Sequence, residues 1–398
     1  MITAESLAIV QATVGVVREY GADITRKFYS TLFAAHPELT NLFNMSNQAS
    51  GEQQQALASA VYAYAANIQN PTALEPILSR IAHKHASLGI KPAQYTLVGK
   101  HLLAAIKSVL GEAATPEILA AWDEAYWLLA CELVAREASL YTQQQVRLDE
   151  SFWQNLQIEH IIQETPDIKS LYLIPASGES LPSFVAGQYV SVALETDTYR
   201  QIRQYSLSDT SAKPYWRITV KRETSAPAHP AGLVSNWLHT LAVGDKVKVG
   251  KPYGDFVLSP QAEGVVLMSA GVGITPMVSI LNSLVEQGSR LPIRFIHAAR
   301  EPSHIALYDE VQRAYEYLTD YKTVFFYENA KGTLANNEFI GFMDLQKAGL
   351  DLSRQNTYYL CGPLAFIRAQ RQWLQAHGIP TERIQYEVFG PDMFAGLQ

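Results

Sequence analysis

Cysteine is nearly absent: Cys131 and Cys361 are the only two in 398 residues. They stand far apart, form no CxxC pair and offer no disulfide framework, which suits a reducing cytoplasm. Positive charge is also in short supply, with 31 Lys and Arg against 38 Asp and Glu and a formal net charge of −7. That balance argues against a nucleic-acid binder or a polybasic membrane anchor. Long apolar runs are missing too. The longest, 265–281, is broken by Gly271, Gly273 and Pro276, so it reads as a buried strand turning into a helix and not as a membrane span. The opening residues MITAESLAIVQATV carry no basic leader and no cleavage site, and no secretory signal is expected of them. The expectation is a cytoplasmic monomer with no membrane span and no nucleic-acid partner.

Turn-formers are scarce in the first 150 residues, which hold six Gly and five Pro against seventeen and fourteen in the rest. With 48% hydrophobic residues the length suffices for several cores and two to four domains. Apolar positions in the front part recur at helical spacing, as in Ile118, Trp122, Ala125, Leu129 and Leu133 along 117–141. Its prolines (Pro37, Pro71, Pro76, Pro92 and Pro116) sit where helices should start or stop. The front part therefore reads as an all-α domain, and the polar run 142–149 as its link to the remainder.

From Phe152 short β runs take over (189–194, 215–222 and 246–250), separated by Pro182, Gly187 and Gly244-Asp245, as expected of a small antiparallel barrel. The stretch 224–232, with Pro227 and Pro230, reads as a surface loop. After Gly264 strands alternate with helices: 265–269 before a helix at 276–287, 293–298 before one near 306–318, and 358–361 before one at 364–377. Such alternation implies a doubly wound parallel sheet covered on both faces. No internal repeat is visible.

Several motifs in this back half carry chemistry. Arg203-Gln204-Tyr205-Ser206 offers a guanidinium for phosphate, an aromatic ring for a flat heterocycle and a hydroxyl for a ring nitrogen. Gly232-Leu233-Val234-Ser235 opens a helical stretch at 236–241, with Ser235 as a candidate cap and free amides for a second phosphate. The run Gly271-Val272-Gly273-Ile274-Thr275-Pro276 follows a strand and enters a helix, where glycines admit a pyrophosphate to the helix N-terminus. Alone, this Gly-x-Gly-x-x-Pro reads equally as a plain strand-to-helix turn. Cys361-Gly362-Pro363 ends a later parallel strand, where ligands collect in open α/β sheets. By itself Cys361 is as readily a small buried residue.

Taken in order and spacing, RQYS, GLVSNWLH, AGVGITP, CGP and YEVFGP resemble the ferredoxin–NADP⁺ reductase-like flavoproteins over about residues 152–398. The resemblance implies an FAD-binding barrel at 152–260 and an NAD(P)-binding domain at 264–398. It implies that Arg203 meets the FAD pyrophosphate, that Gln204 belongs to the same site, and that Tyr205 and Ser206 meet the isoalloxazine. Tyr189, Gly232, Val234 and Ser235 add FAD contacts. Gly271 through Pro276 and Cys361-Gly362-Pro363 hold the nicotinamide nucleotide. In Glu387-Val388-Phe389-Gly390-Pro391, Phe389 lies against the flavin.

The helical part has its own constellation: Phe28-Tyr29, Leu32-Phe33, Leu42-Phe43, then Gln53 and Leu57 at i, i+4, Lys84-His85, Tyr95 and Glu137. Singly, aromatics at helical spacing are core, and His85 competes as a metal ligand with His36, His83 and His101. Together, and above all through FNMSNQ (43–48) and KHASLGIKPAQY (84–95), they resemble the globin domain of bacterial flavohaemoglobins, over residues 1–147. The resemblance implies haem b with His85 as axial iron ligand and Phe43 packed on the haem. Tyr29, Gln53 and Leu57 would line the distal side, with Tyr95 and Glu137 bonded to His85 from behind. Lys84 and Glu387 would stand between haem and flavin.

The implied activity is that of an NAD(P)H-dependent nitric oxide dioxygenase: NAD(P)H reduces FAD, FAD reduces haem iron, and the oxygenated haem converts nitric oxide to nitrate. Two other readings use the same parts, reduction of alkyl hydroperoxides or other acceptors and an oxygen-binding sensor kept ferrous by its reductase. Arg300 and Glu301 leave NADH and NADPH equally open. A lipid is a further candidate ligand of the haem pocket.

Overall fold

The computed structural model describes residues 2–44, 48, 50–146, 152–176, 178–225 and 231–390. The chain divides into two compact units, Met1–Trp153 with Ala193–Arg203 and Gly390–Gln398, and Gln154–Val192 with Gln204–Phe389.

The first unit is helical from the start. Helix α1 (Ala4–Ala35) is capped by the Thr3 side chain, which accepts the Ser6 N–H. A 3₁₀ turn, Pro37–Leu42, follows, then α2 (Glu52–Ala66), α3 (Pro71–Leu88), α4 (Pro92–Leu110) and α5 (Pro116–Gln143). Pro71, Pro92 and Pro116 each occupy a first helical position, where the missing N–H costs no intrahelical bond. Pro76 departs from the expected boundary role, lying inside α3. There only the neighbouring turns pay for the hydrogen bond it removes. The link expected at 142–149 is also shorter than its sequence suggests, because α5 runs on through Gln143; residues 147–149 lie outside the described ones. Helix α1 packs on α2, α4 and α5, and α3 packs on α5. One core joins Phe28, Tyr29, Leu32, Leu102 and Ile106.

Six antiparallel-type strands build the barrel: β1 (Gln154–Thr165), β2 (Ile168–Pro175), β3 (Tyr189–Glu195), β4 (Arg200–Ser206), β5 (Trp216–Lys221) and β6 (Lys246–Val249), in the order β4-β3-β6-β1-β2-β5. An antiparallel bridge from Leu207, just past β4, to Ile218 in β5 joins the two ends of that order. Helix α6 (Leu233–Thr240) starts earlier than expected, so Ser235 is not its cap. Gly232 holds the cap position, and the Ser235 hydroxyl sits inside the first turn, donating to Gly232 O at 3.2 Å and accepting the Glu223 N–H.

The nucleotide half is a parallel sheet of β7 (Gly264–Ala270), β8 (Ile293–Ala299), β9 (Tyr321–Tyr327), β10 (Glu338–Ile340), β11 (Asn356–Cys361) and β12 (Ile384–Glu387), ordered β10-β9-β8-β7-β11-β12. Helices α7 (Ile274–Glu286), α8 (Tyr308–Arg313) and α9 (Leu364–Ala376) accompany it. Strand order reverses between β7 and β11, the switch point at which ligands gather in this architecture. Val265, Leu267, Phe295 and Tyr359 bury one face against α7, while Val266, Met268, Tyr358 and Leu360, alternating with them, are equally buried on the other. The expected helix at 306–318 is a short α8 that tightens into a 3₁₀ turn at Ala314–Glu316. No helix among the described residues is long and apolar enough to cross a membrane.

Candidate functional site

His85 lies in the last turn of α3, which Gly89 closes in a left-handed conformation. Its Nδ1 is 2.9 Å from Glu137 Oε1 on α5 and 2.8 Å from the Tyr95 hydroxyl on α4. Tyr95 donates to the same Oε1 at 2.5 Å. The tautomer follows from these three contacts. Tyr95 gives its single proton to Glu137 and the carboxylate has none to give, so Nδ1 carries the hydrogen and the lone pair is on Nε2. Neither bond uses Nε2, and the side chain keeps 33% of its surface. Glu137 is 2% exposed. A carboxylate so buried is tolerable because two donors converge on it. Burial first, and the Glu137 charge second, push the Tyr95 hydroxyl far above its ordinary range, so it stays a donor. Tyr95 is itself fixed, since the Tyr126 hydroxyl donates to its carbonyl at 2.5 Å. Gly99 makes room for that ring; a Cβ there would stand 2.4 Å from Tyr126 Cε1. His101, by contrast, faces Thr31 and His36, with no carboxylate bonded to its ring among the described residues.

Tyr29, on α1, is the centre of a second group. Phe43 meets it edge-on at 5.6 Å, Phe33 stacks on it at 5.6 Å, and Leu57 packs in the same apolar core. Burial pushes its hydroxyl up to about 12, against which the facing amides of Gln53 and Gln48 act. Gln48 has no role in the sequence reading. Its backbone and side-chain oxygens accept from Gln54 Nε2 at 3.1 and 3.0 Å. Gln48 Nε2 and Gln54 Oε1 are buried and without partners among the described residues. Orphaned polar atoms of that kind mark room for a bound group.

In the barrel, Tyr189 exchanges backbone hydrogen bonds with Tyr253 at 2.8 and 2.9 Å. Arg203 donates to Ile202 O at 2.8 Å, to Gln201 Oε1 at 3.3 Å and to Asn44 Oδ1 at 2.7 Å. Gln204 Nε2 donates to Ser191 Oγ at 3.1 Å. The Ser206 hydroxyl has no hydrogen bond among the described residues, although the residue is 5% exposed. Val234 is buried in α6, whose first turn also holds Ser235.

The two remaining motifs meet at the switch point. Gly271–Gly273 forms a 3₁₀ turn leading directly into α7, so Ile274, Thr275 and Pro276 are its first turn, two residues ahead of the expected start. Thr275 Oγ1 donates to Val272 O at 3.0 Å. A Cβ on Gly273 would stand 2.2 Å from Cys361 O and 2.8 Å from Gly362 N, which is why only glycine fits. Cys361 is fully buried, and burial, then the Glu387 charge, hold its thiol well above its ordinary range. Glu387 pairs with Cys361 across β12 and β11. Pro363 caps α9, and Val388 and Gly390 are partly buried. Phe389 is 47% exposed, while Pro391 lies outside the described residues. The Lys84 carbonyl accepts from Ser87 Oγ at 2.8 Å. His297, buried on β8, also went unread in the sequence. Its Nδ1 is 2.8 Å from Ser269 Oγ, and burial drives it down to about 3, so it is neutral.

Comparison with known proteins agrees with this geometry. The globin family profile matches residues 26–133, the oxidoreductase FAD-binding domain 156–258 and the oxidoreductase NAD-binding domain 267–372. A flavohemoprotein of Rhizobium meliloti is 44% identical over 99% of this chain and 100% of its own. A flavohemoglobin structure from Malassezia yamatoensis, with bound FAD and heme, superposes with a TM-score of 0.86 at 32% identity over 98% of this chain and all of the other. The FAD/NAD-binding domain of nitric oxide dioxygenase from Vibrio cholerae matches at 33% identity and a TM-score of 0.55, over 60% of this chain and 99% of that domain. A helical globin domain followed by an antiparallel FAD-type barrel and a parallel NAD-type sheet, related over its full length to these proteins, places the chain in the flavohemoprotein family.

Proposed function

We propose that the chain is an NAD(P)H-dependent nitric oxide dioxygenase of the cytoplasm, with haem b at 1–147, FAD at 152–260 and the nicotinamide nucleotide at 264–398. The observation that carries the reading is the His85–Tyr95–Glu137 cluster, supported by the likeness to the Vibrio cholerae enzyme domain. The residues fit a haem: an imidazole with its Nε2 lone pair outward, apolar aromatic walls, and a buried orphaned amide beside Tyr29. When bound, the cofactors let two nitric oxide, two O₂ and one NAD(P)H yield two nitrate, NAD(P)⁺ and a proton.

Within that reading His85 would hold the haem iron through Nε2. Glu137 and Tyr95 hold its ring and tautomer, and by drawing on the Nδ1 proton Glu137 makes Nε2 a stronger donor to iron. Phe43 and Leu57 keep water from the distal side, and Gln53 steadies Tyr29. Because Tyr29 is pushed up to about 12, it remains protonated throughout the physiological range and donates to a ligand there. In the barrel Arg203 serves the FAD pyrophosphate, with Tyr189, Gln204, Tyr205 and Ser206 on the ring system, Gly232, Val234 and Ser235 on a second phosphate region, and Phe389 against the flavin. Gly271 through Pro276 and Cys361 through Pro363 serve the nucleotide, and Lys84 and Glu387 help electron transfer.

Anaerobic reduction by NADH, then O₂, then a nitric oxide pulse tests the reading. The Soret band should move from ferric to ferrous to oxygenated, with nitrate matching nitric oxide consumed. A flavin that bleaches over an unchanged ferric haem would defeat it. Tyr29→Phe should speed O₂ dissociation about tenfold, the worth of one charge-assisted hydrogen bond; flash photolysis showing an unchanged rate removes Tyr29 from its role. With Tyr29 intact, that rate should be flat from pH 6 to 9. Ser206→Ala should slow flavin reduction in stopped flow about tenfold, as loss of one aligned hydrogen bond does, while the haem spectrum is unaltered. A normal reduction rate would displace Ser206 from the flavin.

A further inference from the structure

Away from the cofactor motifs, the second unit contains a buried ionic cluster that the chemistry above does not use. Arg217, on β5, has a side chain 2% exposed. All five of its N–H groups have acceptors. Nε donates to Ser208 Oγ at 3.1 Å; Nη1 donates to Glu310 Oε1 and, at 3.4 Å, to the Tyr172 hydroxyl; Nη2 donates to Glu310 Oε2 at 2.9 Å and to Ser208 O. Glu310 is on α8. Its Oε2 also accepts from Asn282 Nδ2 at 2.6 Å, and the same amide donates to Asp209 Oδ1 at 3.0 Å. Tyr215 holds the other Asp209 oxygen at 2.9 Å.

Asn282 is on α7, and the turns on either side of it are tied down as well. Ser279 donates to Asp209 O at 2.8 Å, and Glu286 accepts from the Thr210 hydroxyl. Leu307, at the start of α8, adopts φ 57°, a left-handed conformation that a leucine rarely takes. Its N–H donates to Glu164 Oε2 on β1 at 3.0 Å. A strained backbone position persists only where its surroundings over-determine it.

These contacts join the barrel, through β1, β2, β5 and residues 208–210, to helices α7 and α8 of the nucleotide half. Helix α7 is the one whose N-terminus follows Gly271–Gly273, so Asn282 anchors it about 12 Å along from the nucleotide loop at 1.5 Å per residue. A buried bidentate Arg–carboxylate pair adds little stability over an apolar pair of the same shape, but its fork geometry permits one arrangement.

We infer that Arg217 and Glu310 are positioning residues for hydride transfer: the cluster fixes the nucleotide half on the barrel in the one orientation that brings the nicotinamide to the flavin. The inference rests on the proposed NAD(P)H-to-FAD reading, in which a hydride leaves the nicotinamide, oxidising it, and its two electrons reduce the flavin. Reacting groups displaced by about 1 Å lose on the order of a hundredfold in rate without any change in binding.

The test is Glu310→Gln in the full holoprotein, which keeps the side chain's shape and removes its charge. The limiting rate of flavin reduction at saturating NADH should fall at least tenfold, with the half-saturating NADH concentration within twofold of wild type. Glu310→Asp should recover part of the loss. Before NADH is added, hydrogen exchange at the Leu307 amide and along α8 should accelerate in Glu310→Gln while β1 and β7 stay protected. A limiting rate within twofold of wild type, or a defect confined to half-saturation, overturns the inference. If Glu310→Gln does not fold, Asn282→Ala carries the same expectations and the same refutation. A wild-type flavin that neither NADH nor NADPH reduces would refute the functional reading alone. Unchanged exchange at Leu307 and α8 in the variant would still overturn the lock.

Discussion

Glu137→Gln is expected to lower nitric oxide turnover about ten- to a hundredfold, the usual cost of altering a partner of a metal-bound histidine, while NADH reduces the flavin at the wild-type rate. The separation arises because the hydrogen-bond partners of Glu137 among the described residues, His85 and Tyr95, are both in the helical unit. Gln preserves an oxygen that accepts from Nδ1 and from the Tyr95 hydroxyl, so the ring keeps its place. What it removes is the negative charge that draws on the Nδ1 proton and, in the proposed site, would strengthen Nε2 as a donor to iron. It also puts a buried amide N–H₂ where a carboxylate oxygen stood, and such a donor left unsatisfied costs about 1–3 kcal/mol of stability. Steady-state nitrate production and stopped-flow flavin reduction on the same preparation decide the matter. Full nitrate production would remove the carboxylate from the mechanism; an equal fall in both rates would mean that the damage is global.

Gly273→Ala should produce the converse pattern. The added Cβ would meet Cys361 O at 2.2 Å and Gly362 N at 2.8 Å, both backbone atoms of the neighbouring strand end. Nothing there can rotate away, so either the 271–273 turn or the 361–363 turn must move. Both are the proposed walls of the nucleotide site, and a shift of about 1 Å costs on the order of a hundredfold in rate. Overpacking of this kind also costs about 1–3 kcal/mol. The expected result is a kcat/KM for NADH reduced about a hundredfold, with FAD content and Soret spectrum as in wild type. NADH kinetics that match wild type would separate this turn from the nucleotide.

Much of this molecule was legible in its residues. Period-3.6 apolar spacing and a shortage of glycine announced the helical unit, since a helix must bury a stripe and tolerates few turn-formers. Alternating strand and helix patterns announced the parallel sheet, and the glycine and CGP motifs fell at its switch point because that is where strand ends leave room for a ligand. Helix starts were read less well. Ser235 looked like a cap, yet its hydroxyl turned inward to Gly232 and Glu223, and Pro76 looked like a boundary, yet its helix continues for three more turns. Tertiary packing outweighed a capping preference worth about 1 kcal/mol at Ser235 and a helix-interior cost of about 3 kcal/mol at Pro76. Gln48 and His297 carried no signal of their own, because a polar residue in an apolar setting acquires its role from what faces it.

By itself the sequence determined the helical, barrel and parallel-sheet parts and their order, because periodicity and backbone-permissive glycines are properties of neighbours along the chain. The residues proposed to hold iron, flavin and nucleotide rest on its resemblance to flavohaemoglobins. Only the tertiary structure decided that His85, and not His101, has a buried carboxylate behind it, 52 residues further on. The same holds for Arg217, which closes on Glu310 from 93 residues away. Those pairings turn on directional hydrogen bonds between side chains brought together by packing, and a linear pattern contains no distance across a core.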